Sequence, residues 1–138
     1  MKDGRRGGLS IFTVFHNACA DRPQYTDYPG SDVELTTPID GTVSFDGLKR
    51  AENPPGTFYE IKTGLFYSTM KRVRQTRPSV QKLLDVLLAK ALVGYARERL
   101  TAAACTFEFR YGARDPLLLL DMQQILPTEA PRMFLNGC

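Results

Sequence analysis

Glu60 and Lys62 stand two residues apart in a run, Thr57 to Thr63, rich in aromatic and β-branched residues. Such a run predicts a strand, whose alternate side chains share a face. Phe58, Glu60 and Lys62 then point one way, and Tyr59 and Ile61 point the other way, against a helix. Upstream, Asp46 sits near the end of a second β-rich run, Thr42 to Leu48. The break between the two runs carries Asn53, Pro54, Pro55 and Gly56, a strong turn signal. A connection this short predicts antiparallel neighbours and brings Asp46 alongside Glu60. Two carboxylates and an ammonium group would then converge.

Carboxylates held that close repel, and each raises the other's pKa unless a cation neutralises them. A hard divalent ion does so, and Mg²⁺ (or Mn²⁺) takes one or two carboxylates while keeping several waters. A centre of that kind activates water for attack on a phosphodiester. In this reading Asp46 and Glu60 are the metal ligands. Lys62 orients or deprotonates the water, its own pKa lowered by burial. The plainer alternatives are an Asp-Gly turn at Asp46 and a cross-strand salt bridge from Glu60 and Lys62 on a strand edge.

His16 is the only histidine, a candidate general base or phosphate contact, and Asn17 beside it could position a backbone or a phosphate. Asp21 and Asp32 are further acidic candidates. Lys71, Arg72 and Arg74 crowd a short basic stretch that continues through Lys82, Lys90, Arg97 and Arg99, whereas most acidic residues precede residue 61. That asymmetry suits a phosphate-binding surface beside a cation site, although a solvated helix face explains it equally well.

The elements around these residues follow from periodicity. Leu9 to Cys19 reads as a short helix or strand, and Asp32 to Thr36 as a strand. Leu65 to Thr76 reads as a loop or short helix. Ser79 to Ala104 carries Leu84, Leu88, Ala91 and Tyr95 at helical spacing. Thr106 to Tyr111 is a strand ended by Gly112, Asp115-Pro116 opens a helix to about Leu126, and Pro131 to Leu135 forms a last strand. The order βββ-α-β-α-β describes an α/β sandwich with a mixed sheet. Residues 1–8 read as a linker from a longer chain and 9–138 as one domain. The chain's 138 residues, 43% hydrophobic and 24% charged with net charge +3, suit one core and exclude wholesale disorder. No apolar run is long enough to span a bilayer. Of the three cysteines, none is arranged as a zinc motif. Three half-buried thiols are expected, with a Cys19–Cys138 bridge as the alternative in an exported protein.

Asp46 followed by Glu60-Ile61-Lys62 resembles the D…ExK signature of the PD-(D/E)xK phosphodiesterases. The ordered set also resembles the restriction-endonuclease-fold toxin domains at the C-termini of polymorphic bacterial toxins. That set is His16-Asn17 with Cys19 and Asp21, then Pro29-Gly30 with Asp32, then Phe45-Asp46 with Leu48, then Tyr59-Glu60 with Lys62 and Thr63. Two features depart from the usual pattern: Phe45 stands where many members have proline, and the further acidic residue often found on an upstream helix has no clear counterpart, with Asp21, Asp32 and Glu34 competing. The resemblance implies a restriction-endonuclease-like mixed sheet flanked by helices. It also implies a secreted or delivered DNase acting in the cytoplasm of a target cell and neutralised by a cognate immunity protein. Such a partner could dock on the Lys71–Arg74 stretch. An RNase of the same fold and a non-catalytic protein-binding module are the competing functions.

Overall fold

The computed structural model describes residues 10–138; the linker read over 1–8 and the start at Leu9 lie outside the described residues. The chain forms a mixed α/β fold of two sheets flanked by helices. Helix α1 (Ile11–Ala20) is followed by strands β1 (Val33–Thr37), β2 (Gly41–Phe45), β3 (Gly47–Lys49) and β4 (Thr57–Lys62). Helices α2 (Phe66–Arg74) and α3 (Gln81–Ala104) come next, then β5 (Glu108–Ala113), α4 (Pro116–Ile125) and β6 (Met133–Leu135).

β1 and β2 pair antiparallel in a sheet of their own, with Val33 opposite Phe45. The larger sheet has the order β3-β4-β5-β6. β3 is antiparallel to β4, while β4, β5 and β6 run parallel. Parallel neighbours need long crossovers; α2 and α3 make the first and α4 the second. The run from Thr42 to Leu48 is therefore not one strand. It breaks at Asp46 because its two halves serve different sheets. Gly47 follows as the one residue that fits there: a Cβ would lie 2.3 Å from the Tyr25 carbonyl oxygen. The Asp-Gly pair is a joint between strands and not a hairpin turn.

The alternation in β4 is as expected. Phe58 packs with Phe45, Phe109, Tyr95 and Ala102 on the α3–α4 face, whereas Tyr59 and Ile61 pack with Cys19, Ala20 and Tyr25 on the α1 face. Phe45 and Phe58 stack at 4.2 Å between ring centroids, and the Tyr95 ring meets Phe109 edge-on at 5.4 Å. Burying such rings contributes about 1.5–3 kcal/mol each. β5 runs on to Ala113, so Gly112 lies inside the strand instead of ending it. A Cβ at Gly112 would meet the Phe134 ring at 2.6 Å and Ile61 Cδ1 at 3.1 Å, so the missing side chain makes room for that ring.

Side-chain caps fix the starts of α1 and α4. The Ser10 hydroxyl accepts from the Thr13 amide, and Asp115 accepts from the Leu117 and Leu118 amides ahead of α4. Asp115 also accepts from the Ser68 amide at 2.8 Å, tying α2 to α4. The expectation of three free thiols is overturned: Cys19 and Cys138 form a disulfide, and Cys105 is the free cysteine. Both bridge partners lie against the Tyr59–Ile61 face of β4, so the packing that seats α1 also brings the two thiols together.

Candidate functional site

The end of β4 gathers side chains from four elements. Lys62 Nζ lies 2.8 Å from Glu60 Oε2 on the same face of the strand. Asp46, in the joint between the sheets, accepts the Ile61 amide through Oδ2 at 2.8 Å. That bond belongs to the backbone of β4, so the strand itself holds the carboxylate beside Glu60. His16 lies one turn before Cys19 and Ala20 on α1, hence on the face that packs on β4. Its Nε2 donates to the Ile61 carbonyl at 2.9 Å and lies 3.5 Å from Asp46 Oδ2, while Nδ1 faces Asn17 Oδ1 at 3.1 Å. The fourth element is α3, which contributes Glu98. Its Oε2 is buried and has no hydrogen-bond partner.

Glu98 is the residue sequence reasoning missed. Between Arg97 and Arg99 it reads as one member of a solvated charge pattern. The helical period carries a different signal: Glu98 lies three residues after Tyr95 and four before Ala102, both wholly buried. A carboxylate inside an apolar stripe has to be partnered or put to use.

The electrostatics follow from this crowding. Burial opposes ionisation at Asp46, but the His16 ring and the Ile61 amide hold its carboxyl below the usual range. Burial and the neighbouring Asp46 and Glu98 push Glu60 well above its ordinary value, and Lys62 offsets only part of that. Burial likewise raises Glu98 to about 7. Glu60 is thus coupled electrostatically to both other carboxyl groups, and Lys62 is the cation paired with it. Lys62 departs from expectation. Burial works to lower its pKa, but Glu60 alongside outweighs burial and holds it above the ordinary lysine value. Paired with Glu60 at 2.8 Å, its ammonium group is placed to stabilise negative charge.

His16 is raised to about 9, first by Asp46. A group whose folded pKa exceeds its unfolded value stabilises fully below the unfolded value and loses that contribution as pH rises through the folded one. With EDTA present, thermal stability is therefore expected to fall between pH 6.5 and about 9, by at most roughly 3 kcal/mol. His16→Gln should flatten that slope. An unchanged slope in the variant would show that His16 is not the group responsible.

The other candidates stand apart. Lys71 Nζ pairs with Asp121 and lies over the Tyr67 ring, and Arg74 donates to Gln81. These contacts bind α2 to α4 and α3. Arg72 is exposed on α2, and Asp32 lies just ahead of β1. Asp21 accepts from the Gly30 amide and shapes the loop after α1. Beyond the carboxylates, a cavity of about 640 Å³ opens between α2 and α3, with His16, Lys62 and Glu98 on its wall.

The fold and site together define a mixed α/β protein with a carboxylate-lysine cluster at the end of a central strand. By sequence it belongs to the family of unknown function DUF6310, which matches residues 7–138. No curated protein and no solved structure matches it.

Proposed function

We propose that this chain is a metal-dependent endonuclease with a restriction-endonuclease-like core. Under this proposal it is a delivered antibacterial toxin domain that hydrolyses DNA and is held in check by an immunity protein. The observation that carries the catalytic reading is the convergence of Asp46, Glu60 and Glu98 beside Lys62, with one Glu98 oxygen buried and unpartnered. Asp46 stays ionised while the buried Glu60 and Glu98 resist ionisation beside it, an arrangement that a hard cation would relieve. Among the described residues no three His, Cys, Asp or Glu side chains are placed to hold an ion unaided. An ion would therefore be held by Asp46 and Glu60 and complete its shell with water, as Mg²⁺ commonly does.

A bound Mg²⁺ or Mn²⁺ would supply Lewis acidity toward the phosphate and lower the pKa of a coordinated water. The protein's own residues do the remaining work. Lys62, held protonated, stabilises charge growing on the phosphate oxygens. Glu98, with a pKa near neutrality, is matched to accepting a proton from the attacking water. His16 locks Asp46 in position and keeps its carboxylate ionised.

Purified protein incubated with plasmid and Mg²⁺ or Mn²⁺ is expected to nick and degrade it, and EDTA should stop the reaction. Absence of metal-dependent cleavage of both DNA and RNA would defeat the enzyme reading. The delivery and immunity reading rests on the toxin resemblance alone. Among the described residues no helix is long and apolar enough to cross a membrane, which is compatible with a domain that works after delivery. Growth arrest on cytoplasmic expression, relieved by co-expressing the neighbouring gene, would support it; harmless expression would count against it.

A further inference from the structure

The cavity beside the carboxylates extends well beyond His16, Lys62 and Glu98, and much of its wall is apolar. Phe66, the first residue of α2, lies on the wall and is 55% exposed. Ala91 and Leu118 add further apolar wall, and Lys90 and Arg97 from α3 line it together with Lys62. Both are exposed, with Arg97 also reaching the Asp40 carbonyl at 3.3 Å. Its volume of about 640 Å³ lies in the range of small-molecule sites.

A duplex has little use for such a site. Its bases stay stacked, and it offers a protein surface only phosphates and groove edges. An unstacked base presents a flat face that an exposed aromatic ring can cover, while adjoining phosphates meet nearby cations. We infer that the cavity takes one unstacked nucleobase of a single-stranded polynucleotide, stacked on Phe66, with Lys90 and Arg97 on the flanking phosphates. This rests on the phosphodiesterase reading, because it places the scissile phosphate at Lys62 and the base in the adjoining cavity. Single-stranded DNA and RNA share the chemistry invoked.

The test is fluorescence anisotropy of the whole chain in EDTA, so that binding is read without cleavage. The probes are a labelled DNA 12-mer, the RNA of the same sequence, and the corresponding DNA duplex. At least one single strand is expected to bind about tenfold or more tightly than the duplex. Phe66→Ala should remove roughly tenfold of that affinity, the size of a lost base–ring stack. Because Phe66 is exposed, the variant should keep the wild-type melting temperature, and Lys90→Ala provides a second variant that should weaken binding and steepen neither fold nor melt. Equal or tighter duplex binding, no binding, or Phe66→Ala and Lys90→Ala binding like wild type would overturn the inference. Metal-dependent cleavage without single-strand preference would sink this inference and leave the nuclease reading standing. Single-strand binding without any cleavage would sink the nuclease reading, and with it the scissile phosphate at Lys62, while leaving the base site on Phe66 standing.

Discussion

Glu60→Gln is expected to lower metal-dependent cleavage by roughly a thousandfold or more, the several kcal/mol of charge stabilisation expected of a metal site converted at about 1.4 kcal/mol per tenfold. The substitution keeps the shape of the side chain and its capacity to accept from Lys62, 2.8 Å away. It removes the titrating carboxyl whose pKa burial, Asp46 and Glu98 push up. The folded protein must hold a proton on that group or tolerate its charge, and Gln requires neither. Without metal at pH 8 the variant should therefore melt no lower than wild type. Mg²⁺ or Mn²⁺ should raise the melting temperature of the wild type, because an ion that binds only the folded state stabilises it. In the variant that shift should vanish. A variant that keeps both cleavage and the metal-induced shift would remove Glu60 from the metal site. One that loses both and also melts well below wild type would assign Glu60 a structural role.

Cys138→Ser, or reduction of the wild type, should cost roughly 2 to 5 kcal/mol of stability. The upper end is favoured because the bridge joins positions 119 residues apart, and long loops gain most from closure. The effect should be unequal across the molecule. Within α1 only Cys19 and Ala20 are buried, while Ile11, Phe12 and Val14 are largely exposed. The helix is thus held on β4 mainly by its last turn, the disulfide and the His16 bond to the Ile61 carbonyl. Hydrogen exchange should show α1 opening first in the reduced protein, with β4 and β5 staying protected. If the reduced chain melts like the oxidised one, the bridge contributes nothing to stability. Reduced protein should also lose part of its cleavage rate, since His16 leaves Asp46 when α1 lifts.

The strand that carries the site is the most legible part of the sequence. Phe58, Glu60 and Lys62 alternate with Tyr59 and Ile61, and period two survives any error in pairing partners. Asp46 is legible as a candidate but not as a joint. The run from Thr42 to Leu48 is continuous in composition, and only the third dimension assigns its halves to different sheets. The reason for Gly47 is a backbone carbonyl from Tyr25 packed against it, a contact between distant segments. Helix α1 was ambiguous because ten residues of mixed apolar character fit either period, and the Ser10 cap settles it as a helix. Cys19 and Cys138 could pair or stay apart by sequence, since spacing says nothing of proximity at that separation. Glu98 was legible in principle through its register with Tyr95 and Ala102, but two flanking arginines masked it. For Lys62, burial alone predicts a lowered pKa, and the partner that reverses it sits two residues away.

The parallel pairing of β4 with β5, Glu60 opposite Tyr111, has a kinetic consequence. Closing that ladder means bringing together segments separated by two helices, and such non-local contacts form late and slowly. Asp46 takes its place only when β3 has joined β4, and Glu98 only when α3 has docked across β5. The cluster is therefore expected to assemble only once both segments have packed onto β4 and β5, and a chain still unfolded would carry Asp46 and Glu98 far apart from Glu60 and Lys62.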